Sequence, residues 1–511
     1  MAEPFNIVDL FYESARKRPG KTALICKDRK TTFAELEAQV SGTAAYFLKR
    51  GIAKGDRVLI FVPMSPDLYR IVLALFRIGA TAVFLDEWVG KKRMEECCKV
   101  AQCKAFIGIF KARLLSWFSS ELRKIPLKLS TAYTPLPFGR FPETSADDTA
   151  LITFTTGSTG TPKAAKRTHG FLHAQFRALI RKTGADQQEI DMPVLPIVLL
   201  LNLGSGITSV IADFKASRPE SLRPERIIGQ IEQYGVSRII ASPYFVRELS
   251  RTMIRNGKKL PGVAKIFTGG APVFPAEAEL YVRAFPSAHV EVVYGSTEAE
   301  PISSISAQEL ILERTAALKR GLKAGKPDPS ARVRIIGISG LDISVASAGE
   351  LERLSLAPGH IGEIIVSGDH VLREYFNNEE ALKRNKIFIG DSCWHRTGDS
   401  GYLDQDGTLF LTGRCSMLIN KNGTLISPFV YENYFQTIEG VELGTLLDCR
   451  GKLCAIVQIG KAFSRKQIGK AIKAQAPDIE EIVFLDRIPR DPRHNSKIDY
   501  ARLKERLYAR L

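Results

Sequence analysis

The sequence predicts an α/β fold, and three observations carry that expectation. From about residue 20 to residue 300, short apolar runs alternate with amphipathic helical stretches, the beat of parallel strands joined by crossover helices. From about Gly325 the texture changes to short alternating segments separated by glycine turns, which read as antiparallel β. After a turn-rich segment near Gly413 come a β-α-β-like run and a basic helix. The expected architecture is a large N-terminal domain, 1–413, of mixed or parallel sheets flanked by helices, with a β-barrel-like subdomain. A small α+β C-terminal domain, 414–511, follows, within the usual domain size.

The elements follow in order. Arg57–Val62 (RVLIFV) reads as a buried strand, Leu68–Gly79 as a helix and Thr81–Leu85 as the next strand. The beat returns with strands at Thr208–Ala212 and Ser237–Ala241 and helices at Glu225–Tyr234 and Pro243–Arg255. Ala331–Ile336 and Gly362–Val366 read as antiparallel strands, Gly398–Arg414 as a run of turns, and Tyr500–Leu511 as the final helix. The longest apolar stretch, Pro193–Ala212, is broken by Pro196, Asn202, Gly204 and Gly206, so it falls short of the roughly 20 clean residues of a membrane span. It reads as a strand, a glycine turn and another strand.

Composition narrows the class. With 511 residues, 45% hydrophobic and 25% charged, the chain is ordinary globular material rather than disordered, collagen-like or a disulfide miniprotein. Its net charge of +17 draws polyanions, nucleotide and coenzyme phosphates among them, or simply describes a basic surface. The basic residues are scattered and no nucleic-acid motif is present, so a nucleic-acid partner is not expected. Cys97, Cys98 and Cys103 cluster without a second ligand pair at zinc spacing, and read as reduced, buried thiols of a cytoplasmic protein. The N-terminal stretch has no apolar core of a signal peptide.

Four segments carry chemistry. Leu151–Lys163, LITFTTGSTGTPK, runs from a β-rich segment into a Thr/Ser/Gly loop closed by Pro-Lys. Such a loop can converge backbone N–H groups, hydroxyls and an ammonium on a phosphate, although it lacks the Walker spacing; the alternative is a flexible turn. Val293–Glu298, VYGSTE, offers an aromatic face for a purine and a carboxylate for a hard cation such as Mg²⁺. Arg396–Asp399, RTGD, with Gly413-Arg414 downstream, can present an acid to ribose hydroxyls. Arg493–Ile498, RHNSKI, is a basic loop before a helix. Each of the last three also fits an ordinary polar turn or solvated charge cluster.

Together and in this order, the four segments resemble the adenylate-forming superfamily of acyl-CoA synthetases, adenylation domains and luciferases. Further segments extend the resemblance over nearly the whole chain: TTFAEL (Thr31–Leu36), KGDRV (Lys54–Val58), TGGAPV (Thr268–Val273), GKP (Gly325–Pro327) and GEIIVSG (Gly362–Gly368). The resemblance implies a two-step enzyme that uses ATP and Mg²⁺. A carboxylate attacks the α-phosphorus to give an acyl-adenylate and pyrophosphate, and the acyl group then passes to an acceptor. It implies that Thr155, Thr156, Gly157, Ser158, Thr159, Gly160 and Lys163 hold the phosphates, and that Glu298, beside Thr297, binds Mg²⁺. Gly270, Ala271, Pro272, Tyr294, Gly295 and Ser296 would enclose adenine, and Asp399 with Arg414 the ribose. Lys497 would reach the α-phosphate from a small domain that pivots near Ser416. The presence of Lys163, Glu298, Asp399 and Lys497 argues against a degenerate, non-catalytic relative.

Within the superfamily, the RHNSKI ending, YGSTEAEPISSIS, AFIGIFKARLLSWF (Ala105–Phe118) and the wholly aliphatic Pro196–Leu201 look like the β-lactone synthetases of bacterial long-chain olefin biosynthesis. That branch implies a β-hydroxy fatty acid whose own hydroxyl displaces AMP, with other enzymes of a lipid pathway as neighbours; the alternative is a fatty acyl-CoA ligase, which needs coenzyme A. Asp86–Gly90 (DEWVG) departs from the glycine-rich turn expected there. Lys111–Lys124 reads as one helix with Leu114, Leu115, Phe118 and Leu122 on a face and Trp117 beside them. It either packs on its own domain, the preferred reading, or rests on an anionic membrane as a peripheral contact.

Overall fold

A computed structural model describes residues 3–85, 90–137, 139–155, 162–215, 218–313, 320–490 and 498–508. Two large sheets dominate. In the seven-stranded one, Arg57–Phe61 lies inside the sheet, parallel to both Thr81–Phe84, the central strand, and Ala105–Gly108. Thr149–Thr155 extends it in parallel, and Lys163–Thr168 turns back antiparallel. The eight-stranded sheet runs parallel from Thr22–Cys26 through Thr208–Val210, Ile190–Pro193, Arg238–Ala241 and Lys265–Gly269 to His289–Ser296, with an antiparallel strand at each edge. Most residues of the parallel strands are buried, as for RVLIF of Arg57–Phe61, which is why such strands read as short apolar runs.

Pro66–Arg77 and Pro243–Arg255 form the expected helices. The first buries nine consecutive residues from Leu68 to Phe76 in a core that also holds Val58, Ile60 and Ala82. A third, six-stranded sheet begins at Leu322–Gly325 and is antiparallel, with Arg332–Ile336 in register against Gly362–Ser367. Two further sheets follow residue 415: Ile419–Lys421 with Thr424–Ile426, and a three-stranded sheet of Val441–Cys449, Lys452–Ile459 and Glu481–Leu485. The last two strands pair in parallel across the helix Arg465–Gln475, the expected β-α-β unit. They enclose separate apolar clusters, one around Phe435, Ile456 being in the other.

Three expectations are corrected. Pro193–Ala212 is not strand, turn and strand: Pro196–Ser205 is a helix, between the strands Ile190–Pro193 and Thr208–Val210. An all-apolar run has no period to read; here Pro196 opens the helix at its first turn, and Gly206, at φ +72°, closes it. Gly398–Arg414 is not a run of turns but a hairpin of Ser392–Leu403 and Leu409–Arg414, whose single tight turn is capped by the Asp404 carboxylate. Lys111–Lys124 is two short helices, Phe110–Leu115 and Ser120–Lys124; Leu122 is buried, while Leu114, Leu115, Trp117 and Phe118 are exposed and do not pack on their domain.

Cys97 and Cys98 are buried, Cys103 is half-buried and none forms a disulfide, with burial pushing Cys98 and Cys103 up to about 12. Among the described residues no group of His, Cys, Asp or Glu is arranged to hold a metal by itself, and no helix is long and apolar enough to cross a membrane.

Candidate functional site

A cleft of about 2770 Å³ runs between the sheets, and Lys163, Gly270–Pro272, Tyr294–Glu298, Asp399 and Arg414 all line it. Residues separated by up to 251 positions thus converge: Lys163, Gly270, Glu298 and Arg414 sit at a strand end or just beyond one, and Asp399 lies within the long strand Ser392–Leu403. Thr155 ends the strand opposite Lys163. Thr156, Gly157, Ser158, Thr159 and Gly160 lie outside the described residues, as do Lys497, His494 and 86–89.

The best-defined polar group is a three-residue chain. The Tyr294 hydroxyl donates to Asp399 Oδ2 at 2.8 Å, and Arg414 Nη1 pairs with Asp399 Oδ1 at 3.1 Å. The hairpin explains the pairing, since Asp399 and Arg414 are directly opposed across its two strands. Gly398 takes φ +70°, open to glycine and costly to other residues, and aims Asp399 inward. The Thr397 hydroxyl accepts from the Asp399 N–H at 3.0 Å, and Arg414 also donates to the Thr397 carbonyl at 2.9 Å. The Asp399 carboxylate holds the Arg414 guanidinium above its usual range, and burial with the same carboxylate pushes the Tyr294 phenol well up. One carboxylate fixed by a cation on one side and a phenol on the other is oriented to accept a diol.

Beside it, the wall of Gly270–Pro272 needs a glycine before it. A Cβ on Gly269 would stand 2.5 Å from the Val293 carbonyl oxygen, so Gly269 lets the two strands close up behind the cleft. Ser296 Oγ is buried and has no hydrogen-bond partner among the described residues.

The second polar group surrounds Lys163 and Glu298. Lys163 Nζ donates to Asn385 Oδ1 at 3.0 Å, and burial lowers its amine against the pull of Glu298. Glu298 accepts from the Tyr375 hydroxyl at 3.2 Å, and its backbone carbonyl accepts from Leu372 N–H at 2.7 Å. The Thr297 carbonyl accepts from Arg167 Nη2 at 3.1 Å. A carboxylate whose partner is a phenol rather than a basic side chain, next to an ammonium that would meet phosphate, suits a Mg²⁺ held by one protein ligand and by nucleotide phosphates.

Sequence reasoning missed the floor of this group. Tyr375, Asn385, Lys386 and His395 come from residues 374–395, which return to the first sheet through Glu374–Tyr375 pairing with Lys166 and Ala165. Lys386 is buried, donates to the Leu372 carbonyl, and is pulled down to about 8 by burial. Burial holds the His395 imidazole well below its usual range, hence neutral. No local motif marks them; the one available signal was four polar or basic residues beside apolar strand residues. Arg396, within RTGD, is buried and pairs with Glu363 at 2.7 Å, so it braces the hairpin rather than facing ligand.

The other end of the cleft is apolar. Leu195, Pro196, Ile197 and Leu200 of the helix Pro196–Ser205 face Met64, Leu68 and Phe84 of the first sheet's side. The helix is anchored from behind by Asn202, which donates to Asp191 Oδ2 at 2.6 Å and accepts from the buried Arg238 at 2.8 Å. Of the aliphatic Pro196–Leu201, Pro196, Ile197 and Leu200 line this cleft, while Val198 and Leu199 are buried.

The structure thus brings Lys163, Glu298 and Asp399 onto one cleft. Residues 11–376 match the AMP-binding enzyme family, and the chain belongs to it: it is an AMP-forming ligase that activates a carboxylic acid with ATP. The chain is 30% identical, over 98% of its own length and 98% of the other's, to the olefin β-lactone synthetase of Stenotrophomonas maltophilia (strain K279a). It is 30% identical, over 98% and 96%, to that of Xanthomonas campestris pv. campestris. Its fold superposes with a TM-score of 0.80 on O-succinylbenzoate coenzyme A synthetase from Bacillus subtilis in complex with ATP and magnesium ion, at 22% identity over 99% of this chain and 100% of that one. The two-domain architecture is that of adenylate-forming enzymes.

Proposed function

We propose that the protein activates a long-chain β-hydroxy acid as its acyl-adenylate and then closes it to a β-lactone. In the first step a carboxylate oxygen bonds to the α-phosphorus and pyrophosphate leaves. In the second the β-hydroxyl oxygen bonds to the acyl carbon, the acyl–phosphate bond breaks, AMP leaves, and the hydroxyl proton passes to a base or to water. The reading is supported chiefly by the near-full-length identity to two olefin β-lactone synthetases, joined to a cleft that is polar at one end and aliphatic at the other.

In this reading the Asp399–Arg414 pair takes the ribose, and Tyr294 with Gly270, Ala271, Pro272, Gly295 and Ser296 encloses the adenine. Lys163 and the loop of Thr155 to Gly160 hold the β- and γ-phosphates. Glu298, beside Thr297, would hold Mg²⁺, which supplies charge to the phosphates. The rate comes from positioning and from preorganised charge. Lys497 supplies the cation between carboxylate and α-phosphate, from a small domain that begins at 414 and pivots near Ser416. One fact favours that pivot: the strands after residue 415 have their own apolar clusters.

Product analysis by mass spectrometry, with ATP and either a β-hydroxy or a plain fatty acid, tests the reading. A β-lactone from the hydroxy acid without coenzyme A supports it. Acyl-CoA formed equally from both acids, and no lactone, contradicts it in favour of an acyl-CoA ligase.

A further inference from the structure

Six of the fifteen large hydrophobic side chains exposed among the described residues fall between Ile109 and Phe118. The pattern there is inverted. Ser116 and Ser119 are buried, at 0% and 1% exposure, while the adjacent Trp117 and Phe118 stand 71% and 76% exposed. The buried hydroxyls are satisfied: Ser116 donates to the Arg113 carbonyl at 2.6 Å, and Ser119 to Glu95 Oε1 at 3.0 Å. The turn between the two short helices is therefore pinned from inside by polar groups, and it holds Phe110, Leu115, Trp117 and Phe118 outward in water. A contiguous apolar surface of this kind marks an interaction site.

The surroundings select the partner. From Ile109 to Lys128 there are five basic residues, Lys111, Arg113, Arg123, Lys124 and Lys128, and one acid, Glu121. The neighbouring helix Lys91–Ala101 adds exposed Lys91, Lys92 and Lys99, while its Glu95 is engaged by Ser119 and its Glu96 by Arg93. Aromatic and leucine side chains at a tip, ringed by ammonium and guanidinium groups, match the boundary of an anionic bilayer: rings at headgroup depth, cations on the phosphates. Ile109, Lys111 and Ala112 also line the cleft, so the surface is continuous with the cleft wall.

We infer that the Phe110–Lys124 segment docks the enzyme on an anionic membrane surface. This docking is independent of which acid the enzyme activates. The test is flotation of the full chain with vesicles of phosphatidylcholine alone or with about a third phosphatidylglycerol. The anionic vesicles should carry the protein, and salt of about 0.5 M should weaken capture. The W117S/F118S double substitution should lower the partition at least about tenfold with an unchanged melting temperature, since both side chains are already in water. Should that variant be destabilised, K124E provides the second reading, with weaker capture on anionic vesicles only. Wild-type protein that ignores anionic vesicles, or a double variant that floats as well as wild type, overturns the inference. So does a wild-type dimer that the double substitution makes monomeric, because the surface would then be a self-association face.

Discussion

The two ends of the cleft are built by different physical means. At the nucleotide end, each candidate group is fixed by a named partner: Tyr294 and Arg414 hold Asp399, Tyr375 holds Glu298, and Asn385 holds Lys163. At the apolar end, Leu195, Ile197 and Leu200 present methyl groups, and the helix behind them is held by Asn202 and by the Tyr69 hydroxyl, which donates to the Pro196 carbonyl at 3.3 Å. Directional groups act at fixed distances, so the nucleotide end admits little substitution. Apolar walls act through area and volume, so the acyl end can be reshaped at modest cost. Under the proposed function, that difference would separate the reaction from substrate choice.

The strongest break of the comparison is Lys497→Ala, which should depress acid-dependent ATP–pyrophosphate exchange about 10²–10³-fold while leaving ATP binding within about twofold, as for loss of one preorganised charge. Exchange at the wild-type rate would remove Lys497 from the reaction. Asp399→Ala should weaken apparent ATP affinity by about tenfold or more, because charge-assisted hydrogen bonds contribute about 1.5–3 kcal/mol each. An ATP titration within twofold of wild type would take Asp399 out of the site.

The apolar end should respond in the opposite sense. Leu200→Trp, by filling volume, should lower kcat/KM for long acids roughly tenfold and leave the KM for ATP unchanged. Equal losses for short and long acids would mean that Leu200 does not bound the chain. A milder probe of the nucleotide end is Tyr294→Phe, which removes one neutral donor to Asp399 and should raise the ATP KM roughly fivefold.

Many of the candidate residues that line the cleft were legible because they lie in short local motifs. VYGSTE closes a strand and RTGD lies within one, and neither needs the tertiary fold to be noticed. What the motifs did not reveal was the hairpin that sets Asp399 opposite Arg414, since alternation in GYLDQDGTLFL is masked by its glycines and acids. The floor made by Tyr375, Asn385 and Lys386 was invisible because it depends on a late segment returning to the first sheet. Pro196–Ser205 was misread for want of any period. The outward Trp117 and Phe118 were assigned to packing because helical spacing cannot tell which side of a helix faces its domain, or that the helix breaks at Ser116.

The smallest expected effect concerns stability alone. Burial pushes the Glu432 carboxyl up to about 7 from its ordinary 4.5, although it accepts hydrogen bonds from Tyr500 and, at 2.8 Å, from Thr445. The folded state thus binds more protons than the unfolded state across that window, and stability falls as pH rises from about 4.5 to 7. Glu432→Gln should flatten the melting temperature over the same range; a slope equal to wild type would assign the pH dependence elsewhere.

The central claim is that the acceptor is already part of the substrate. An attached, well-oriented hydroxyl can reach an effective concentration of about 10⁵ M or more, which free coenzyme A cannot match. The decisive measurement is the rate of AMP release from a long-chain β-hydroxy acid, and from the same acid without the hydroxyl, with and without coenzyme A. The account predicts release from the hydroxy acid at a rate indifferent to coenzyme A, and a plain acid that stalls as bound adenylate after one turnover. Release that requires coenzyme A, and that is equally fast for both acids, would contradict it.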